Sequence, residues 1–347
     1  MTDTHRLASN DPTVGQRKTS ATMHRLECIE RLSHRLELTE NQKQSIYKHA
    51  ADLALTEAEL NAGAGDVPLA LYKPTIETLS AGRDLRLGAE VWAFAQVAST
   101  NDVCNRAAVQ GHDGPLVVLA DSQTAGRGRR GEPWHAEAGS NILMSVLLNV
   151  QGASGDLLAL AVSLAVVEAL EKIVPADCRV KWPNDVLIAG RKVAGVLIEK
   201  PATGQRRDLA VIGIGINIHQ RGFPPELSAH AISLAKVTDE PISRLAVVLE
   251  LLAALQAWVY PLAPGPAIIN AWKSRCDMLG KTISVATPGR LITGRVEDID
   301  PVEGLVIRDG LGMLHHCPAA GSQILRDAAP APTPAGGMDG DAALNLG

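Results

Sequence analysis

Apolar positions set the outline of the chain. Leu116-Val117-Val118-Leu119-Ala120 and Ile142 to Leu148 are continuous apolar runs of strand length, and both predict buried strands. Arg179 to Trp182 and Val186 to Ile188 read as strand pieces around Pro183. Ala189-Gly190-Arg191 reads as a tight turn into a strand over Val193 to Lys200, which predicts a β-hairpin. Leu209 to Ile218 reads as a further buried strand. The longest apolar run, Leu157 to Leu170, is broken by Ser163 and Glu168; it is too short to cross a bilayer and predicts a buried helix. Helices are also expected at 241–260 and 265–277. One more runs from the capping residues Ser99-Thr100-Asn101-Asp102 to about Gln110.

The two ends have a different texture. Residues 1–20 are expected to be disordered, and 22–60 carry Leu26, Ile29, Leu32 and Leu36 at helical spacing. Asn61 to Asp66 is a cluster of breakers that reads as a linker. From Lys281 short strands return, with turns at Pro288-Gly289 and Asp309-Gly310, enough for a small β-barrel. The tail from Ala328, rich in Ala, Pro and Gly, is expected to be disordered. The resulting map is a disordered 1–20, an N-terminal helical extension over 21–84, a mixed α/β domain over 85–278, a barrel over 279–327 and a disordered tail over 328–347.

Composition narrows the classes. A chain of 347 residues suggests two or three domains, and 46% hydrophobic residues can build a sizeable core. Aromatics are only 3%, so that core is aliphatic. A net charge of −5 argues against broad nucleic-acid binding, and no basic run suits a recognition helix. The five cysteines are scattered and form no C-x-x-C pair, which argues against a zinc ribbon or a disulfide framework. His315-His316-Cys317 reads as an edge strand or turn, not as a metal site. Met1 to Gly15 is polar and holds no apolar signal core. A soluble, cytoplasmic setting without membrane contact is therefore expected.

Four segments carry chemistry. Gly126-Arg127-Gly128-Arg129-Arg130-Gly131 sets three arginines among three glycines, between two strands. Such a loop offers backbone N–H groups and guanidinium forks to an anion. On its own it reads equally as a ligand clamp, an RNA-binding patch or a solvated turn. Ser99-Thr100-Asn101 stands at a helix start, as a polar binding corner or as an ordinary cap. Lys181-Trp182-Pro183-Asn184-Asp185 is a break in a strand, and a lysine there is costly to bury unless an anion meets it. Gly213-Ile214-Gly215-Ile216-Asn217 lets another group approach the strand closely. Gly213 and Gly215 do not begin a dinucleotide fingerprint, because the third glycine position holds Ile218. Gly280-Lys281-Thr282 does not end a P-loop, because the leading glycine position holds Arg275.

Together, and in this order, the four segments resemble the biotin protein ligase family over roughly residues 85–326. The resemblance implies an α+β fold. It consists of a mixed β-sheet catalytic domain of the class II synthetase-like, biotin–lipoate ligase type, followed by a small SH3-like β-barrel. It implies activation of biotin by ATP to biotinyl-5′-AMP, then transfer to a lysine of a biotin carboxyl carrier protein, with Mg²⁺ accompanying the nucleotide. By the same resemblance Lys181, Arg127 and Arg129 are the catalytic cations. Ser99, Thr100, Asn101, Gln123, Gly126, Arg127, Gly128, Arg129 and Lys181 hold biotin, and Arg127, Trp134, Lys181 and Asn217 meet the nucleotide. The metal ligands stay unassigned. Lipoate ligation, a ligase that is also a biotin-responsive repressor, and a binding module without turnover are the competing classes. The Gly-Arg-Gly-Arg and Lys-Trp-Pro-Asn-Asp segments favour biotin over lipoate. The sheet edge leaves a homodimer open.

Overall fold

The computed structural model describes residues 73–151, 154–202, 208–300 and 303–325. The expectations of disorder over 1–20, helices over 22–60 and a disordered tail from 328 lie outside the described residues. The chain divides into two compact units between Asp277 and Met278.

The first unit is a seven-stranded mixed sheet with helices. Its elements are α1 (Lys73–Gly82), β1 (Val91–Val97), α2 (Thr100–Val109), β2 (Leu116–Gln123), β3 (Ile142–Asn149), α3 (Gly155–Ile173), β4 (Cys178–Lys181), β5 (Asp185–Ile188), β6 (Arg191–Glu199), β7 (Leu209–Ile216), α4 (Arg244–Val259) and α5 (Gly265–Arg275). The strand order is β1-β2-β3-β7-β6-β5-β4. Only β1 and β2 run parallel; every other pair is antiparallel. The expected hairpin is present. Ala189 and Gly190 both take positive φ, 49° and 72°, as a two-residue turn with the twist of its strands requires. Peptide bond Trp182–Pro183 is cis.

Helix α2 packs on one face of this sheet. Its Val103, Cys104, Ala107 and Ala108 meet Leu116, Val118, Leu147, Leu209 and Val211 of β2, β3 and β7. Alternate positions such as Val146, Ile212 and Ile214 are buried on the other face, which explains the unbroken apolar runs. Helix α1 falls inside the segment expected to be an N-terminal extension, yet Ile76 and Leu79 are fully buried. Its Glu77 accepts a 3.1 Å bond from the Val91 amide of β1. Neither α1 nor β1 was legible as an element. β1 alternates little, and its Trp92, Phe94 and Val97 lie only partly buried against the α2 cluster.

A buried ion pair ties α4 to the sheet. Arg244, the first residue of α4, is 2% exposed and donates to Asp121 of β2 at 2.9 Å. Asp121→Asn is expected to cost about 3–5 kcal/mol by removing the carboxylate charge that faces the buried guanidinium. Urea denaturation measures this, and a midpoint equal to wild type would refute the account.

The second unit is a five-stranded antiparallel sheet. Its strands are β8 (Thr282–Thr287), β9 (Arg290–Asp300), β10 (Gly304–Asp309), β11 (Leu314–Cys317) and β12 (Gln323–Leu325), in the order β11-β10-β9-β8-β12. Val285, Ile292, Val296, Ile299, Leu305 and Ile307 form its core. The fold class is therefore α+β, as expected. His315, His316 and Cys317 form strand β11; His315 pairs with Asp309, His316 pairs with Glu303, and Cys317 is buried.

Asp309 closes the β10–β11 turn. It accepts from His315 at 2.7 Å and from the Leu311 and Met313 amides at 2.9 Å. The His315 bond, then the backbone amides, hold its carboxyl below the ordinary value of 3.8. A depressed folded value stabilises above the unfolded pKa and is lost as pH falls through the folded one. Protection of the Leu311 and Met313 amides, relative to intrinsic exchange at each pH, is expected to fall selectively below about pH 4, the ordinary carboxylate range. A fall shared equally by all β10 amides would count against it.

Candidate active site

The site lies on the α2 face of the first sheet, and three glycines make it. A Cβ at Gly213 would stand 2.4 Å from Asn101 Oδ1. A Cβ at Gly215 would stand 2.5 Å from the Trp134 indole, and one at Gly195 3.1 Å from the same ring. Gly195 and Gly215 are register partners on β6 and β7. Side chains from the helix and the loop thus lie directly on strand backbone, where any larger residue would block them. The close approach read from Gly213 and Gly215 is made by the chain's own Asn101 and Trp134.

The first cluster is a buried polar chain. Gln123 Oε1 accepts from the Thr100 amide at 2.7 Å and from its hydroxyl at 3.0 Å. Ser145 of β3 donates toward Thr100 Oγ1 at 2.7 Å and Asn101 Oδ1 at 2.5 Å. Asn101 Nδ2 donates to Glu199 Oε2 at 2.8 Å. Ser99 is buried as the N-cap of α2, its carbonyl accepting from Asp102 and Val103. Thr100, Asn101 and Gln123 are therefore brought together as the sequence pattern required. Ser145 carries no local signal, since it sits in the apolar run Ile-Leu-Met-Ser-Val-Leu-Leu. Glu199, within the strand expected over Val193 to Lys200, carries none either.

The arginine–glycine loop is folded over this cluster. Thr124 and Ala125 donate to the Val97 and Ala98 carbonyls, at 3.0 and 2.8 Å, extending the parallel pairing of β1 and β2. Trp134 N donates to Gly126 O at 3.0 Å, and Gly128 N to Glu132 O at 2.7 Å. Arg130 and Gly131 turn the chain with φ of 59° and 75°. Arg127 faces two carboxylates, Asp102 at 2.7 Å and Glu199 at 3.0 Å. The Asp102 hydrogen bond, with Glu199 adding, holds its guanidinium above the ordinary value. Arg129 goes the other way: burial, then the neighbouring Arg130, push it down, while Asp156, Asp185 and Glu132 oppose the shift. Burial also raises Asp156, against the pull of Arg129.

The second cluster follows one register row. Leu143, Gly215, Gly195, Asp185 and Lys181 stand side by side across β3, β7, β6, β5 and β4. Paired residues share a face, so Lys181 rises on the side that carries Trp134. Two strand spacings separate it from Gly195, about 10 Å. Asp185 pairs with Lys192 at 2.6 Å, and Lys192 Nζ stands 5.4 Å from the Trp134 ring centre. Asn184 closes the strand break by bonding both ways with Val196. Trp134 Nε1 is buried and has no partner among the described residues. Asn217 follows β7, two residues beyond Gly215. It is buried, its amide nitrogen donates to the Ile232 carbonyl at 3.2 Å, and its Oδ1 has no partner among the described residues.

Comparison with known proteins places this arrangement in a class. The Biotin/lipoate A/B protein ligase family matches residues 93–217. A bifunctional ligase/repressor BirA of Bacillus subtilis is 32% identical over 279 residues, spanning 76% of this chain and 84% of that protein. The protein of the same name from Bacillus spizizenii is 32% identical over 217 residues, and the chain spans 66% of its length. A biotin–[acetyl-CoA-carboxylase] ligase of Mycobacterium tuberculosis is 33% identical over 63% of this chain and 85% of its own. A solved biotin protein ligase from Aquifex aeolicus, in complex with biotin and ATP, superposes with a TM-score of 0.61 at 27% identity, covering 69% of this chain and 99% of that one. The chain belongs to the biotin protein ligase family.

Gly213→Ala tests the packing that makes the site. Asn101 is held from both sides by Ser145 and Glu199, so it cannot yield to a new methyl. The substitution is expected to cost about 1–3 kcal/mol, the usual penalty for overpacking. Thermal and urea unfolding check it, and a neutral effect would refute the close contact.

Proposed function

We propose that this protein activates biotin with ATP and transfers it to a carrier lysine. A biotin carboxylate oxygen bonds to the α-phosphorus, the bond to the β-phosphate oxygen breaks, and pyrophosphate leaves. A lysine amine of a biotin carboxyl carrier protein then attacks the acyl carbon, and AMP leaves. One observation carries the reading. A polar cradle of Thr100, Asn101, Gln123 and Ser145 shares a sheet face with an indole on a glycine pair and with Lys181.

The chemical difficulty is bringing a carboxylate to a triphosphate. A cation fixed between them offsets the repulsion and stabilises charge in the transition state. Lys181 takes this role: its ammonium makes no ion pair among the described residues. Arg129, half-buried in the loop, stands as the second cation. Ser99, Thr100, Asn101 and Gln123 meet the polar ureido ring, with Gly126, Arg127 and Gly128 shaping the loop above. Trp134 packs on the adenine, and Asn217 supports the nucleotide end. Mg²⁺ enters with the nucleotide. Among the described residues no group of three or more His, Cys, Asp or Glu gathers to hold an ion. Phosphate oxygens and water suit it instead.

The acceptor is proposed to be the carrier domain of acetyl-CoA carboxylase or a related carboxylase. The outer strand β1 offers backbone groups to that domain or to a second copy. DNA binding is not part of the reading, on the net charge of −5. A cytoplasmic location is supported by the free thiols of Cys104, Cys178, Cys276 and Cys317 among the described residues.

Purified protein with ATP, Mg²⁺, a carrier domain and labelled biotin or lipoate separates the readings. Carrier labelling by biotin alone is expected; lipoate transfer, or binding without turnover, would overturn the proposal. Lys181→Ala is expected to lower pyrophosphate release at least about 100-fold, as for removal of a group that stabilises developing charge, while circular dichroism is unchanged. Release at the wild-type rate would remove Lys181 from the chemistry.

A further inference from the structure

Glu199 is the point at which the loop, helix α2 and strand β6 meet. Its carboxylate accepts from Arg127 Nε at 3.2 Å and from Arg127 Nη2 at 3.1 and 3.0 Å. Oε2 also accepts from Asn101 Nδ2 at 2.8 Å and Asn105 Nδ2 at 3.3 Å. Asn101 and Asn105 are four apart on α2 and present one face to it. Every group around the two oxygens is a donor, so only an ionised carboxylate satisfies them all.

We infer that Glu199 is a positioning residue that latches the arginine–glycine loop shut and fixes the Asn101 amide for biotin. Arg127 is the bolt. Its contacts with Glu199 and Asp102 make it an anchor of the loop, which leaves the substrate anions to Lys181 and Arg129. By taking Asn101 Nδ2, Glu199 also decides which way that amide points, so Oδ1 faces Ser145. The cradle and the lid are thereby set by one side chain. This inference rests on the biotin ligase reading for its second half; the latch itself does not.

The loop carries its own reporter. Trypsin cuts after arginine, and Arg127, Arg129 and Arg130 all lie in it. Glu199→Gln keeps the size of the side chain but turns an NH₂ toward donors. With a charged hydrogen bond contributing about 1.5–3 kcal/mol, loop cleavage is expected to accelerate about 10-fold or more, while unfolding stays cooperative and cleavage outside the loop is unchanged. Preformed biotinyl-5′-AMP is expected to dissociate about 10-fold faster, and KM for biotin to rise about 10-fold, by the same conversion, while KM for ATP stays within about twofold. Glu199→Asp, which keeps the charge, is expected to recover part of each effect. Should Glu199→Gln fail to fold, Asp102→Asn loosens Arg127 from its other side and is expected to raise cleavage more modestly. Wild-type cleavage and adenylate retention in the folded variant would overturn the latch. If the wild-type protein makes no biotinyl-5′-AMP, the ligase reading fails, while the cleavage comparison still decides the latch.

Discussion

The site depends on the absence of three Cβ atoms. Gly195, Gly213 and Gly215 clear one face of β6 and β7, and Asn101 and Trp134 lie in the space they leave. Helix α2 can then set its N-terminal turn against bare strand, with Ser145 beneath it. The loop can lay an indole flat on the next register row. Larger residues at these positions would lift both groups and separate the cradle from Lys181.

Charge is arranged around the same face by pairing. Arg127 meets Asp102 and Glu199, Lys192 meets Asp185, and Arg244 meets Asp121 in the interior. The site as a whole therefore carries few cations available to a substrate, although its sequence is conspicuously basic. This resolves the tension between a glycine-rich loop, costly to order, and the folded hairpin observed. Arg127 takes part in both, contributing charge-assisted bonds that offset the ordering cost.

Much of this was legible. The apolar runs marked β2, β3, β7 and α3, and the Ala-Gly pair marked the β5–β6 hairpin. Thr100, Asn101 and Gln123 met where the motif order implied. Ser145 and Glu199 were not legible, for a physical reason. A serine inside an apolar strand gives no local signal, and its partners lie on a helix 44 and 45 positions away. Glu199 bonds Arg127 across 72 positions. Contacts of that range belong to sheet register, and no local pattern encodes them. α1 was hidden similarly, its buried apolar Ile76 and Leu79 giving too short a stripe to stand out.

The glycine floor under Trp134 has a consequence for selectivity. The bare backbone is covered by the chain's own indole; a planar partner would meet the outer face of that ring, which cannot tell one flat ring from another. The floor's closest side chains are the indole above and the Lys192 ammonium at the rim, neither of which reads a hydrogen-bonding edge in detail. Discrimination among planar partners would then fall to atoms at the perimeter. The chain has separated fit from identity: glycines supply the first, and the margin of the seat supplies the second.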